Sequence, residues 1–325
     1  MKDFSTYEAD LAKLCNNRML ELHVLPTEKC NFRCVYCYET FEKGRMSPET
    51  RGGLKKLIDA RADDLDILNI SWFGGEPLAA ADIVLELSRY AFERCAQSAT
   101  DFKGTMTTNG WFLDRPMMAD LNACGVRGFQ ITLDGPQELH DQTRVLGSGM
   151  GTFDRIWENL LAARDSDLEF SIMLRLHIRP SNMAQLLAWM PTLTSELLHD
   201  DRFSLLVKPI EHLGGPNDDI IDVFKGDEER HNAVAQFYDG LQGRVGYRDD
   251  ILGKACYACR PNAWVIRSDG RLARCTVALE SGRNTVGTLM PDGTLEIDHD
   301  KLRPWFKGLA DLDEAVIGCP VQHIF

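Results

Sequence analysis

The stretch Cys30-Asn31-Phe32-Arg33-Cys34-Val35-Tyr36-Cys37-Tyr38 decides how this 325-residue chain is interpreted. It follows an apolar run that ends Leu22-His23-Val24-Leu25-Pro26, and it offers three thiols with no fourth cysteine nearby. Thiolates hold iron–sulfur clusters, and a 4Fe–4S cube needs one ligand for each iron. One iron would therefore stay open, which predicts a reactive site. A zinc site is the alternative, although structural zinc favours paired CxxC halves and four protein ligands.

The CxxxCxxC spacing, with Tyr36 directly before the third cysteine, resembles the radical S-adenosylmethionine (SAM) superfamily. The resemblance implies that Cys30, Cys34 and Cys37 bind a 4Fe–4S cluster and that Tyr36 contributes to cofactor binding. It also implies that the amino and carboxylate groups of SAM chelate the open iron. One electron from the cluster then cleaves SAM to methionine and a 5′-deoxyadenosyl radical, while the protein supplies position and excludes side reactions.

A turn signal, Gly74-Gly75-Glu76-Pro77, closes the next β-rich run. A double glycine lets the backbone approach a ligand closely. The run looks like the GGEP motif of the same family, which implies that Gly74, Gly75, Glu76 and Pro77 bind SAM and that Glu76 holds its ammonium group. By itself such a run is more often an ordinary turn, so its meaning comes from the cysteines upstream.

Three polar residues close the following apolar stretches: Asn109, Thr132 and Asp134. The resemblance implies that they end the third and fourth barrel strands, where related enzymes contact the SAM ribose and carboxylate. Each could equally be part of a simple turn. Arg144 follows a histidine–aspartate pair, as in family members, and its planar fork would suit a carboxylate or brace a loop.

Composition restricts the function classes. The formal charge of −13, from 36 Lys+Arg against 49 Asp+Glu, argues against a nucleic-acid partner. No apolar run approaches the ~20 residues of a membrane span, and the first residues are too polar for a signal peptide, so we expect a cytoplasmic protein. Ten cysteines in such a chain point to metal or redox chemistry rather than disulfides.

Strands and helices alternate along the first three quarters of the chain, which predicts a parallel sheet with crossover helices. Ser47 is the expected N-cap of the first long helix, with Pro48 at its first position. The predicted strands are 19–25, 67–73, 103–107, 127–133, 169–178 and 203–210. The helices that follow are predicted at 81–97, 113–124, 152–164 and 181–197. Six strand–helix pairs are too few for a full TIM barrel and match the open (β/α)6 partial TIM barrel of radical SAM enzymes, here residues 1–245, with active residues at the carboxyl ends of the strands.

The last part of the chain carries a second set of four cysteines: Cys256, Cys259, Cys275 and Cys319. Ten residues separate Cys259 from Gly270 and four separate Gly270 from Cys275. This spacing resembles the auxiliary-cluster extensions called SPASM and twitch domains, with Gly270 permitting a tight reversal. With four cysteines, residues 246–325 match the shorter twitch form, which implies a second, auxiliary 4Fe–4S cluster. A structural zinc ribbon is the alternative.

The three other cysteines are expected to pack in the core: Cys15, Cys95 and Cys124. Radical peptide epimerases resemble this chain, but they need a thiol that returns a hydrogen atom to the substrate. Residues 200–255 contain no cysteine, which disfavours epimerisation; Cys15 is the donor that stays open.

Enzymes with twitch or SPASM extensions mostly modify ribosomally made peptides. We therefore expect an oxidative peptide maturase that abstracts hydrogen and forms a side-chain crosslink. Its expected partners are a precursor peptide, a separate peptide-recognition protein and a reductant such as flavodoxin or ferredoxin. The alternatives are a peptide epimerase, a radical dehydrogenase of a small molecule, and an iron–sulfur electron carrier, which would need neither an open iron nor a GGEP turn.

Overall fold

The computed structural model describes residues 9, 11–238, 255–311 and 313–325. The chain forms two compact units. The first comprises Met1–Glu28, Lys43–Thr105 and Tyr247–Phe325, and the second comprises Lys29–Glu42 and Met106–Gly246. The predicted domain boundary between residues 245 and 246 lies outside the described residues, so this boundary stays a prediction.

Ten strands are named in chain order: β1 (Met19–Val24), β2 (Ile67–Trp72), β3 (Asp101–Thr108), β4 (Val126–Leu133), β5 (Ser171–Ile178), β6 (Phe203–Pro209), β7 (Ala263–Ile266), β8 (Arg271–Ala273), β9 (Thr285–Leu289) and β10 (Leu295–Ile297). The α-helices are α1 (Pro48–Ala62), α2 (Ala81–Ser98), α3 (Arg115–Ala123), α4 (Gln137–Thr143), α5 (Phe153–Arg164), α6 (Met183–Leu193), α7 (Asp227–Tyr238), α8 (His299–Leu302), α9 (Lys307–Asp311), α10 (Glu314–Gly318) and α11 (Val321–Ile324). All six predicted strands and all four predicted following helices occur within a few residues of their expected bounds.

In the first unit, β1 lies between two parallel partners, β2 and β7. Leu22 of β1 is aligned with Ile70 on one side and with Trp264 on the other. From β7 onward the pairing turns antiparallel, through β8 and β9 to β10. The inward side chains of β1 and β2 are fully buried, which explains the apolar runs that the sequence shows there.

In the second unit, β4, β5 and β6 pair in parallel, with Ile131, Leu174 and Leu205 in register. Helices α5 and α6 connect these strands, as the alternating pattern predicts. Strand β3 runs from the first unit into the second. The α/β class and the parallel pairing of a partial TIM barrel are confirmed.

Local sequence signals explain the element ends. Ser47 caps α1 by accepting a hydrogen bond from Thr50 N at 3.1 Å, and Pro48 stands at the first turn. At the predicted reversal between β7 and β8, Gly270 has a φ of +84°, which only glycine adopts readily. No described helix is both long and apolar enough to span a membrane.

The polar stretch Gly214–Glu229 is only partly irregular. It contains a 3-10 turn, Asp218–Ile220, and the start of α7. Within it, the Asn217 side chain donates a hydrogen bond to the Val35 carbonyl at 2.9 Å. This polar stretch therefore braces the backbone of the first cysteine motif.

Two of the three cysteines expected in the core are there. Cys95 in α2 and Cys124 after α3 are buried, which confirms their packing role. Cys15 is exposed, so its prediction as a packing residue is wrong. The preceding residue, Leu14, packs in the core instead, against Cys259 and Ile317.

Candidate active site

The loop cysteines, Cys30, Cys34 and Cys37, lie on the segment that follows β1, and all three are partly buried. The backbone N–H of Cys37 donates to the Cys34 carbonyl at 3.1 Å, which closes a turn between these two residues. Two further backbone hydrogen bonds fix the segment: Arg33 N to Val145 O at 2.8 Å and Val35 N to Thr143 O at 2.9 Å. The loop is thus held by the last residue of α4 and by the segment that follows it.

Burial raises the pKa of the Cys34 thiol, and burial with the neighbouring Cys34 raises the pKa of Cys37 to about 12. Thiolates, not thiols, bind metals, so metal binding at this loop must release protons. Without a bound metal, these two thiols are therefore protonated at neutral pH.

Tyr36 and Asp134 are joined in one hydrogen-bond network with Arg144. The Tyr36 hydroxyl donates to Asp134 Oδ1 at 3.1 Å and accepts from Arg144 Nη1 at 2.8 Å. The hydroxyl of Thr143 donates to the other Asp134 oxygen at 2.6 Å. Burial raises the pKa of Tyr36 well above its ordinary value, so this hydroxyl stays protonated. Three residues predicted to bind SAM are thus brought together by the fold.

Asp134 stays ionised despite its burial. Burial alone would raise its pKa, but His177 and Arg144 lower it below the ordinary range. His177 Nδ1 lies 3.4 Å from Asp134 Oδ1, beyond the usual 2.7–3.2 Å of an N–H···O hydrogen bond. Burial and the nearby Arg175 cation lower the pKa of His177 to about 4, so this imidazole is neutral near pH 7.

Sequence reasoning missed His177, whose ring meets the Tyr36 ring edge-on at 4.8 Å between centroids. It lies near the carboxyl end of β5, where parallel α/β folds place active residues. A polar residue at the end of an apolar strand was the available signal.

Asn109 lies beside the first loop cysteine. Its Nδ2 donates to Asn31 Oδ1 at 2.8 Å and is 3.9 Å from Cys30 Sγ, while its Oδ1 accepts from Trp111 N at 3.0 Å. Thr132 is buried near the end of β4. Asn109 thus supports the loop, and the roles of Asn109 and Thr132 toward SAM stay predictions.

The Gly74–Pro77 turn belongs to the first unit, whereas the loop cysteines belong to the second. Gly74 has a φ of +126°, and a Cβ atom there would collide with the Thr27 carbonyl oxygen. Glu76 is fully buried, and its Oε1 accepts a hydrogen bond from Leu78 N at 2.9 Å as cap of the 3-10 helix that begins at Pro77. The carboxylate predicted to hold the SAM ammonium therefore also has a local capping role. Gly75 continues the same turn, and its contact with SAM stays a prediction.

The C-terminal cysteines are Cys256, Cys259, Cys275 and Cys319. Burial raises the pKa of Cys256 to about 12, with added contributions from the other three thiols. Burial raises the pKa of Cys275 as well, and Cys319 adds to that shift. The geometric link is in the backbone: Cys319 directly follows α10, and Ile317 of that helix accepts a hydrogen bond from Cys256 N, so the fold brings the end of the chain to the first of these cysteines.

Backbone hydrogen bonds fix these cysteines. Cys256 N donates to the Ile317 carbonyl at 3.0 Å, which ties the first cysteine to the helix before Cys319. The buried side chain of Asn284 accepts from Cys275 N at 2.9 Å and donates to Cys275 O at 2.7 Å. Cys256 and Cys275 are therefore each held by a partner outside their own segment.

A buried cation, Arg274, stands directly before Cys275. It is 1% exposed and donates to the carbonyl oxygens of Ala258, Arg260 and Ala263. Burial lowers its pKa to about 10, and the Cys259 thiol acts in the opposite direction. At neutral pH it remains charged. No pattern in the sequence indicates this residue, because only tertiary packing determines its burial.

Among the described residues, no three His, Cys, Asp or Glu side chains converge closely enough to hold a single metal ion. The polar atoms around each cysteine set indicate whether that set suits an iron–sulfur cluster. Near the loop cysteines, Arg144 Nε is buried without a hydrogen-bond partner, which fits an anionic ligand group such as a carboxylate. Near the C-terminal cysteines, Arg274 is a buried cation, which fits an anionic group. Both donor sets therefore fit thiolate-bound iron–sulfur clusters.

A sequence profile of the radical SAM superfamily matches residues 24–189. The chain belongs to this superfamily and is an enzyme of it. Such proteins hold SAM on an iron–sulfur cluster.

Two curated relatives illustrate the spread of functions in the family. The GTP 3′,8-cyclase of Desulforamulus reducens is 28% identical over 259 residues, which cover 76% of this chain and 72% of the relative. The Fe-coproporphyrin III synthase of Methanosarcina barkeri is 31% identical over 172 residues, which cover 52% of this chain and 40% of the relative.

Solved structures agree in fold. The structure of anSMEcpe with bound AdoMet has a TM-score of 0.67 at 17% identity, covering 93% of this chain and 88% of that one. SuiB of Streptococcus suis bound to the precursor peptide SuiA has a TM-score of 0.59 at 16% identity, covering 94% of this chain and 70% of that one. At these identities the likeness is one of fold.

Proposed function

We propose that this enzyme oxidatively modifies a ribosomally made peptide by hydrogen abstraction, forming a side-chain crosslink. The observation that carries the proposal is the contrast between three loop cysteines and four C-terminal cysteines. Three thiolates leave one iron of a cube open, whereas four complete its ligand shell. A closed second cluster suits electron transfer rather than substrate binding, and an oxidation needs such an acceptor. The proposal includes that the C-terminal part of the chain is a twitch domain with an auxiliary cluster.

When bound, the SAM-carrying cluster supplies hydrogen abstraction and the C-terminal cluster supplies an electron acceptor. The chain's own part is to hold the polar ends of the cofactor. Arg144 offers a buried, unpaired N–H to a carboxylate, and Asp134 keeps Tyr36 and Thr143 oriented beside it. Neutral His177 lies next to this group and carries no charge of its own near pH 7.

The atoms balance for a crosslink. The peptide loses two hydrogens: one leaves as an atom, and the other leaves as a proton together with an electron. The product is therefore lighter than the peptide by two hydrogens. An epimerised peptide would have an unchanged mass in ordinary water and would gain one deuterium when the reaction is run in heavy water.

Peptide substrates are supported by two neighbours in fold, since anSMEcpe and SuiB were each solved with a bound peptide. The proposed partners are a precursor peptide, a separate peptide-recognition protein and a reductant such as flavodoxin or ferredoxin, in the cytoplasm.

A small-molecule reaction is the second candidate. It is favoured by the GTP 3′,8-cyclases, which are 28% and 27% identical to the chain over most of its length. Binding of a small molecule directly to the C-terminal cluster is disfavoured by Cys319, because a fourth thiol leaves no open iron there.

The test uses the anaerobically reconstituted enzyme with SAM, a reductant and synthetic peptides encoded by the reading frames next to its gene. Mass spectrometry should find a peptide that has lost two hydrogens, with a linkage visible in its fragmentation. A parallel incubation with GTP tests the second candidate. Conversion of GTP and no change in any peptide would overturn the proposal. A peptide that loses no hydrogens but takes up one deuterium in heavy water would replace it by epimerisation.

A further inference from the structure

The first unit contains two fully buried arginines with opposite surroundings, Arg267 and Arg274. Arg267 is paired with two carboxylates: it donates to Glu28 Oε2 at 2.6 Å and to Glu280 Oε1 at 2.7 Å. Arg274 makes no ion pair with any carboxylate of the described residues. Arg267 thus has its counter-charges within the protein, whereas Arg274 has none in direct contact in the described part of the chain, so the surroundings of Arg274 call for an explanation.

The hydrogen bonds of Arg274 are all made to neutral acceptors. Its Nε and Nη2 donate to the Ala258 carbonyl at 3.1 and 2.9 Å, and Nη2 donates to the Arg260 carbonyl at 2.5 Å. Nη1 donates to the Ala263 carbonyl. Carbonyl dipoles satisfy the N–H groups but do not neutralise the charge, and an uncompensated buried charge is costly.

Aromatic rings also lie against the guanidinium. Its central carbon is 4.9 Å from the ring centre of Trp264 and 5.1 Å from that of Phe306. These rings stabilise a cation through their quadrupoles, and they exclude water that would otherwise screen it. The charge of Arg274 is therefore felt strongly by whatever lies next to it.

What lies next to Arg274 is the set of C-terminal cysteines. Ala258 and Arg260, which accept its hydrogen bonds, stand on either side of Cys259, and Cys275 follows Arg274 in the chain. Four thiolates around an iron–sulfur core leave a net negative charge, which grows on reduction. A fixed cation in a dry setting favours the reduced, more negative form.

We propose that Arg274 is the internal counter-ion of an anionic cofactor bound by the four C-terminal cysteines, and that its charge raises the reduction potential of that cofactor. This inference rests on the proposed function, which assigns a cluster to these cysteines. Arg274 is not itself a ligand in this proposal; the cysteines bind the cofactor, and Arg274 acts on it from beside them. Its charge makes the site a better electron acceptor for an oxidative reaction.

The test separates the effect of the charge of Arg274 from the effect of its hydrogen bonds. The full-length chain carries Cys30→Ala, Cys34→Ala and Cys37→Ala in every sample, so that one cluster remains. Arg274→Lys keeps the charge but loses the planar fork, whereas Arg274→Gln keeps a donor and loses the charge. Arg267→Lys and Arg267→Gln are the matched controls, since Arg267 is equally buried in the same unit but has its own carboxylates.

Iron content and a potentiometric titration followed by electron paramagnetic resonance are measured on each sample. At the parent midpoint potential, Arg274→Gln should lower the ratio of reduced to oxidised cluster at least tenfold, which is 59 mV for one electron. Arg274→Lys and both Arg267 variants should stay within about threefold of the parent. Retention of iron by Arg274→Lys and its loss from Arg274→Gln would also support a role of the charge.

If the cluster of Arg274→Gln has the parent's reduction potential, the inference is overturned. Equal loss of iron from both Arg274 variants would also overturn it, because either result is expected if Arg274 only holds the backbone in place. If the chain that carries only the three loop-cysteine substitutions binds no iron, the C-terminal cysteines hold no cluster and that part of the proposed function is wrong. The two failures are therefore distinguishable.

Discussion

The loop cysteines and the C-terminal cysteines are two thiol-rich regions with different neighbours. Around the loop cysteines the charged groups are several and coupled, with Arg144, Asp134 and Tyr36 in one hydrogen-bond network. Around the C-terminal cysteines there is Arg274, held by carbonyl groups and aromatic rings. In the proposed function, the first arrangement would hold a substrate-like cofactor through these polar groups. The second would surround an electron acceptor with four thiols and one fixed positive charge.

The largest expected effect separates the two regions by iron content. Reconstituted enzyme should contain about eight irons per chain, and alanine at all three loop cysteines should leave about four and abolish SAM cleavage. Alanine at all four C-terminal cysteines should also leave about four, with SAM cleavage retained. Iron analysis and chromatography of 5′-deoxyadenosine measure both. A loop variant that keeps all its iron would refute the assignment of the first site.

A single substitution tests whether the C-terminal site acts after SAM cleavage. Cys275→Ala should still cleave SAM but should yield no modified peptide, because the electron acceptor is lost. Losing a ligand can also unfold a metal-dependent region, so a thermal melt must show that this part stays folded. Cys124→Ala, which removes a buried thiol outside both sets, is the matched control. Peptide modification at the parent rate would make the second cluster dispensable.

Glu76 distinguishes a SAM contact from a helix cap. Glu76→Ala should weaken SAM binding about ten- to a hundredfold, since a charge-assisted hydrogen bond contributes roughly 1.5–3 kcal/mol. Glu76→Gln keeps an oxygen for Leu78 N while removing the charge, so it should weaken SAM binding similarly and preserve stability. Calorimetric titration with SAM measures the affinity. Normal binding by the glutamine variant would leave Glu76 with the capping role alone.

Acid should lower the folding stability of the protein through two histidines of the second unit. The pKa values of His140 and His177 are lowered to about 4, chiefly by burial. Unfolding raises them toward 6.5, so the unfolded chain binds more protons below that pH. Stability is then fully present above pH 6.5 and falls toward pH 4, by about 1–2 kcal/mol for each histidine between pH 7 and pH 5. Urea unfolding at these pH values should show a smaller decrease in His177→Gln; an unchanged decrease would contradict the assignment to His177.

The smallest effect belongs to a residue outside both cysteine sets. Ser47→Ala removes the cap of α1 and should cost about 1 kcal/mol of unfolding free energy. It should leave iron content and SAM affinity unchanged, which makes it the stability control for the other variants. A change in either quantity would mean that the two cysteine regions respond to general destabilisation.

The sequence predicted the fold well because its signals are local. Apolar runs with the period of buried strands located all six barrel-type strands, and Ser47-Pro48 located the start of α1. The short helix α4 and the helix α7 were not predicted. Their polar sequences carry little apolar periodicity, and they form through contacts with neighbouring segments.

The candidate site was only partly predictable. Cysteine spacing identified both thiol sets, because ligand spacing is a property of the chain itself. The exposure of Cys15 was predicted wrongly, since packing around Leu14 leaves its neighbour outside. His177 was missed, because its approach to Tyr36 depends on two segments far apart in sequence.

The sequence by itself determined the superfamily, the order of strands and helices, and the number of thiols in each set. The tertiary structure decided which charges surround those thiols: Asp134 and Arg144 beside the loop, and Arg274 beside the C-terminal set. The physical reason is that spacing along the chain fixes which ligands are available, whereas burial and pairing of a charge depend on atoms brought together from distant segments.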